Sequence, residues 1–338
     1  MTPGLWGALS AVTWGTCDFL ARFTGRAAGY VNALLGMLFA SSVFLSLWLV
    51  LSGADLVWAS SSVVLLVVAG VCSLIGYLFL YWAFTRGPVS VAAPIAGSYP
   101  ALVVLIAVVM GSRPSALQWA GTAITLVGVI VVARGGVEST PAALPAAATQ
   151  AAGAEGGAAG PPGAVQPGAQ RAPGAEANAP SAKAGIGILP ALRIAPGKRG
   201  TVVAAALAAL AWAFMISATQ EVAPIVGSLE TIWLPRVVAL GLLAATLGLR
   251  WARGRRPRPT VPGRWWPVIA VQAALDVAGY YTLYAAATGP NPEIAAMASS
   301  AYYVITVLLG RIVLKERISV VQVGGIAMVF AGIVLLSM

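Results

Sequence analysis

The 338-residue chain contains no histidine. That removes the side chain most often used as a general base near neutral pH, and the commonest metal ligand. Only two cysteines occur, Cys17 and Cys72, both inside apolar runs, which argues against a disulfide framework or a thiolate metal site. Charge is scarce: Asp, Glu, Lys and Arg make up 9% of residues against 59% hydrophobic. No Gly-rich loop runs into a Lys-Ser or Lys-Thr pair, so the phosphate cradle of a nucleotide hydrolase is missing. Asp18 and Asp276 are the two acids placed to act as an intramembrane protease dyad. They fall at different expected depths, and neither has a Gly-x-Gly-Asp context. The expectation is a protein that is not an enzyme and holds no cofactor or metal.

What is abundant is uncharged apolar sequence, the signature of a multi-pass membrane protein. About 20 such residues cross a hydrocarbon core of ~30 Å. A window of that length gives ten spans, at 4–22, 31–51, 63–85, 90–111, 116–134, 200–220, 229–249, 265–288, 293–312 and 319–337. The first is followed by Arg22 and another span without a cleavage region of small residues, so a retained helix is expected rather than a signal peptide. Residues 135–198, including AAGAEGGAAGPPGAVQPGAQ, are dominated by Ala, Gly and Pro. That composition cannot build a core, and a disordered linker is expected there.

The segments on either side of the linker match each other. Residues 76–105 align without a gap to 279–308, with identities at Gly76/Gly279, Tyr77/Tyr280, Tyr81/Tyr284 and Tyr99/Tyr302. RPSALQWAGTAITLVG (113–128) then matches RISVVQVGGIAMVFAG (317–332) at Arg, Ser, Gln, Gly, Ala and Gly. Five spans per copy is an odd number, so the second copy would enter the membrane inverted. The charges fit this: of 20 Lys and Arg, all but Arg113 and Arg236 lie in or beside loops after odd-numbered spans. The other loops carry Asp55, Glu221, Glu230 and Glu293. The positive-inside rule places the odd loops and the linker in the cytoplasm and both termini outside. The net charge of +10 is then a matter of orientation and contact with anionic lipid, not of nucleic-acid binding.

The expected fold class is an all-α integral membrane protein, ten transmembrane helices forming two inverted five-helix repeats at 1–134 and 199–338. Inverted repeats characterise secondary transporters, whose substrate site lies near the midplane between the halves. The chain also resembles a known family. SAVTWGTCDFLARF near the start, the paired Tyr-x-Ala hinges before each fourth span, and R-x-S-x-x-Q-x-x-G at the start of each fifth span are similar to the EamA family of the drug/metabolite transporter superfamily. The resemblance covers both halves and omits the linker. It implies a ten-helix carrier in the cell membrane, taken as a bacterial cytoplasmic membrane, exporting amino acids, other metabolites or drugs. It also implies that spans one to four and six to nine line a central cavity, while spans five and ten pack outside it.

Two departures from the family pattern stand out. Its Glu-Arg pair before the fifth span survives as Glu316-Arg317, while the first half has Ser112-Arg113. Family members usually keep both termini in the cytoplasm, the reverse of what the charges indicate here. The alternatives to a solute exporter are a proton-coupled multidrug exporter and a non-transporting scaffold or receptor. The sequence does not choose between monomer and homodimer, and beyond a small-molecule substrate and membrane lipid it names no partner.

Candidate site residues are the polar and aromatic ones that lipid should exclude, since a charge at the bilayer centre costs about 2.5–3.5 kcal/mol on insertion scales. Gln272, Asp276, Tyr280 and Tyr284 recur every four residues and share one helix face. They are either a cavity stripe, with Asp276 as a proton or cation site, or an interhelical hydrogen-bond cluster. Arg236 either pairs with Asp276 or snorkels to the interface. Asp18 precedes Arg22 by four residues, the spacing of an intrahelical ion pair. Trp14 and Trp212 hold matching places in the first span of each half, as cavity walls or as packing. Tyr77, Tyr81, Pro94, Ser98, Tyr99, Ser299 and Tyr302 complete the set. Pro94 and Pro100 interrupt the fourth span, where their matches are Met297 and Tyr303. The expectation is a bend in the first half that the second half lacks.

Overall fold

The computed structural model describes residues 3–53, 60–135, 197–254, 261–287, 298–299 and 301–336. Nearly all of the expected linker lies outside them. The elements are α1 (Pro3–Ala28), α2 (Tyr30–Ser52), α3 (Ser60–Arg86), α4 (Val89–Ala96), α5 (Tyr99–Val109) and α6 (Ala116–Gly135). After residues 136–196 come α7 (Lys198–Val226), α8 (Ser228–Ala252), a short 3-10 turn at Gly263–Trp265, α9 (Trp266–Ala287), α10 (Tyr302–Val313) and α11 (Val320–Leu336). Among the described residues there is no strand.

Seven of these segments are long and apolar enough to cross a membrane, counting α4 and α5 as one. The three other expected spans fall short for different reasons. The Gly, Thr, Trp and charged residues of α1 dilute its hydropathy, α10 and α11 are shorter apolar helices, and residues 288–297 before α10 lie outside the described set.

One glycine makes each of two tight reversals. Gly29, at φ +81°, is the sole residue between α1 and α2, and Gly227, at φ +96°, is the sole residue between α7 and α8. A side chain is strained at those angles, which lets consecutive helices fold back without a loop.

The fourth span is split, but the prolines do not account for the split. Pro94 lies inside α4, and Pro100 sits in the first turn of α5, where its missing N–H is not needed. The break is a tight turn at Gly97-Ser98, with Ser98 N–H donating to Ile95 O at 3.2 Å and Ala101 N–H to Ser98 O at 3.1 Å. The same bonds occur 203 residues later, from Ala301 N–H to Ala298 O at 3.2 Å and from Val304 N–H to Ala301 O at 3.0 Å. These are the positions that the repeat aligns, and α10 starts at Tyr302 as α5 starts at Tyr99. The expected asymmetry is therefore corrected at the turn itself: the same backbone bonds form in both halves, the second without proline. The turn is held by i to i+3 backbone bonds, which need no proline to form.

Packing between the halves is reciprocal. α1 lies along α9, and α7 lies along α3. At the first contact the Trp14 indole covers Gly279, where an added Cβ would come within 2.5 Å of the ring. At the second the Trp212 indole covers Gly76, at 2.7 Å by the same measure. Away from this core, α6 and α11 pair closely through four glycines. A Cβ on Gly121 would meet Gly332 O at 2.7 Å, and one on Gly128 would meet Gly325 O at 2.9 Å. Small residues that let backbones touch are how helices associate where lipid supplies no hydrophobic drive. Large apolar side chains on the outside, among them Phe39, Phe44, Leu47 and Val50, form the continuous apolar exterior that lipid accommodates.

Gly128→Val is expected to destabilise the fold by about 1–3 kcal/mol through overpacking against backbone. Gly324→Val, one residue from the seam with nothing within 4 Å of its added Cβ, should be near neutral. Thermal unfolding of the purified chain in one detergent compares them, and equal losses would contradict the seam.

Candidate functional site

Arg236 of α8 is 3% exposed and reaches Asp276 of α9, with Nη2 to Oδ2 at 2.5 Å. Tyr77 of α3 joins both: Arg236 Nη2 donates to its hydroxyl at 2.7 Å, and that hydroxyl donates to Asp276 Oδ1 at 2.8 Å. The guanidinium lies between two rings, 4.8 Å from the Tyr77 centroid and 5.0 Å from that of Tyr280. A buried cation is costly unless paired, hydrogen-bonded and stacked. Here it is all three, so Arg236 does not snorkel to an interface.

One turn from Asp276, Gln272 ties three helices. Its Oε1 accepts from Thr24 Oγ1 of α1 at 3.0 Å, and its Nε2 donates to the Tyr81 hydroxyl of α3 at 2.5 Å. The stripe on α9 thus divides by depth. Gln272 bonds helices together, while Asp276 and Tyr280 border a cavity. Tyr284 borders a smaller adjoining space among α3, α7, α8 and α9, where its hydroxyl donates to Thr219 Oγ1 at 3.2 Å.

The main cavity is walled by Trp14 and Asp18 of α1, Tyr77 of α3, Tyr99 of α5 and Tyr302 of α10, with Trp212, Met215 and Ile216 of α7 opposite and Asp276 and Tyr280 of α9. Its aromatics form two crossed groups. Trp14 meets Tyr280 and Tyr302 edge-on, with centroids 4.7 and 5.9 Å away, and Trp212 meets Tyr77 and Tyr99 at 5.8 and 6.4 Å. The centre of a water-sized sphere has ≈ 30 Å³ in which to move, whereas one water needs about 10–15 Å³ on that measure. In this conformation the cavity holds a few waters and excludes a drug-sized solute.

One turn along α1 from Asp18 lies a second ion pair. Arg22 Nη1 of α1 lies 3.3 Å from Glu316 Oε1, in the loop before α11, and donates to Gly87 O at 2.6 Å past the end of α3. The Glu316 carboxylate accepts the Val89 and Ser90 N–H groups at 3.1 and 3.0 Å, satisfying free donors at the start of α4. Arg22 therefore does not pair with Asp18, four residues earlier. Asp18 faces the cavity instead, and neither of the two ion pairs among the described residues includes it.

Of the other sequence candidates, Tyr81 is buried against Gln272 and is absent from the cavity wall. Pro94 and Ser98 are buried in the α4–α5 bend, with Ser98 Oγ donating to Ile95 O at 2.7 Å. Ser299 is buried just before the matching bend. Residues that the sequence reading missed include Met215, Ile216 and Thr219. Repeat arithmetic reaches the first two: with Trp14 matched to Trp212, Cys17 and Asp18 fall opposite Met215 and Ile216.

These features define a class, a multi-pass helical membrane protein with an internal polar and aromatic cavity. The sequence profile of the EamA-like transporter family matches residues 1–134 and 199–338, and the chain belongs to that family. Proteins of this family are generally transporters rather than enzymes. A solved structure titled "Crystal structure of protein" is similar in fold, with a TM-score of 0.56 and 16% identity, covering 98% of this chain and 95% of that one. No curated protein matches the sequence.

Asp276→Asn is expected to cost about 3–5 kcal/mol by leaving the buried Arg236 unpaired. Replacing the pair together, Arg236→Met with Asp276→Leu, should recover most of that loss. Denaturation of both variants and the unsubstituted chain in detergent measures the difference. A single variant as stable as the unsubstituted chain would show that the pair does not hold the helices.

Proposed function

We propose that the chain is a secondary transporter that exports a small organic solute by alternating access. In this reading it has ten spanning helices in two inverted halves, 1–134 and 199–338, joined by a cytoplasmic linker over 135–198. The observation that carries the proposal is the pairing of the cavity wall. Trp14 and Trp212, Tyr77 and Tyr280, and Tyr99 and Tyr302 are matched by the internal repeat, and each pair borders the same space. A cavity built at the junction of related halves is where transporters of this design place substrate.

The Arg22–Glu316 latch supports the same reading. It gathers the chain after the first, third and ninth expected spans, all loops that the positive charges assign to the cytoplasm. It is therefore a closed inner gate, and opening it exposes the cavity to the cytoplasm. Asp276 is neutralised in place by Arg236, which makes it a fixed part of the wall and weakens its claim to carry protons. Asp18 has no such partner.

Reconstituted in proteoliposomes, the chain should move a solute saturably, with the rate reduced at least about tenfold by Trp14→Ala, a fall equivalent to about 1.4 kcal/mol. Flux that stays linear with concentration across a broad solute panel would sink the proposal. The gate has a separate readout. In a chain lacking Cys17 and Cys72, a cysteine at Ser90, buried beside Glu316, should react faster with a water-soluble maleimide after Glu316→Gln. An unchanged rate would mean that the latch does not close the path.

A further inference from the structure

The charges around the cavity do not cancel. Arg236 is taken by Asp276 and Arg22 by Glu316. Asp18, 9% exposed and bordering the cavity, makes no ion pair or hydrogen bond among the described residues. The imbalance is also where the repeat fails. The aromatic wall is matched between halves, whereas Asp18 stands opposite Ile216. A site with one unpaired acid and no unpaired base suits a cation, whose charge holds that acid in its ionised form.

A further group of the cavity lining has no partner. The Trp212 Nε1–H and the Tyr302 hydroxyl are buried and make no hydrogen bond, but the Nε1 edge of the indole is seated against Gly76 of α3. The Tyr302 phenol can donate, so it suits an uncharged acceptor on a bound molecule. The surrounding tryptophan and tyrosine rings attract an ammonium group through their negative faces. A carboxylate in the same position would find no free cation.

Resting on the transport reading above, we propose that the cavity takes organic ammonium ions, with Asp18 as counter-charge and the crossed Trp–Tyr groups as the cage around the cationic head. A hydroxyl, ether or carbonyl oxygen elsewhere on the solute meets Tyr302. The substrate class is thus a monocationic amine or quaternary ammonium with an uncharged polar tail, and zwitterions and anions are disfavoured.

The test is equilibrium binding to the full chain in lipid nanodiscs. Radiolabelled choline and phenyltrimethylammonium are the probes. Dimethylbutanol, the uncharged isostere of choline, and glycine betaine, its zwitterionic relative, are the competitors. Both probes are expected to bind saturably, and both competitors to displace them at least about tenfold more weakly than unlabelled choline does. Asp18→Asn should weaken binding about thirtyfold or more, while Asp18→Glu retains it, with intrinsic tryptophan fluorescence confirming that both variants are folded. The proposal is overturned if neither cation binds saturably, if the uncharged isostere competes equally, or if Asp18→Asn binds as the unsubstituted chain does. Cations that bind but do not cross proteoliposomes would defeat the transport reading alone. Saturable flux restricted to uncharged or zwitterionic solutes and indifferent to Asp18→Asn would defeat this proposal alone.

Discussion

Lipid offers no hydrogen bond to a polar group, so a polar side chain inside this protein depends on the protein itself for a partner. The internal organisation follows from that constraint. Arg236, Asp276 and Tyr77 come from three helices and bond one another, and Gln272 ties α1 and α3 to α9 a turn away. Each is a fixed point at which helix register is set by chemistry rather than by shape. Apolar helices in lipid have little else to tell one register from the next, because their surfaces resemble the solvent around them.

The rest of the molecule uses a different device. α6 and α11 meet through Gly121, Gly128, Gly325 and Gly332 with their backbones in contact, and no buried charge takes part. Polar bonds hold the cavity and dispersion holds the outer pair. The division suits the carrier proposed above, in which contacts that separate and re-form are discrete and few and a continuous seam stays shut. Under that proposal the Arg22–Glu316 pair belongs to the first kind, since it bridges segments far apart in the chain.

Much of the fold was legible in the sequence. The hydropathy window found α2, α6, α8 and α9 to within a few residues, because lipid thickness sets a helix length that composition reports. It cut α1 and α7 short, at 22 and 220 against observed ends at 28 and 226, since both helices continue past the apolar stretch. The expected single-sided bend failed because proline was read as the cause of a turn that backbone bonds make unaided. In the site, four-residue spacing identified the polar face of α9 but could not say which neighbour each residue meets. Asp18 and Arg22 show the same limit: their spacing allows a local pair, and the fold supplies Arg22 with Glu316, which is almost three hundred positions away. The sequence named the aromatic part of the wall, where the two copies agree, and Asp276 on the α9 stripe. It read Asp18 only as a neighbour of Arg22, because spacing along one helix does not say which space a side chain enters.

The reciprocal seating of Trp14 on Gly279 and Trp212 on Gly76 makes each half complete the other's wall, yet their polar groups are not interchangeable. A molecule built from two copies of residues 1–134 would keep the aromatic cage and carry two spare acids, but it would have no Arg236–Asp276 pair to hold it. One built from two copies of residues 199–338 would carry that pair twice and lack Asp18. Neither symmetric assembly reproduces this cavity: each part supplies polar groups that the other lacks, so the labour is divided between them.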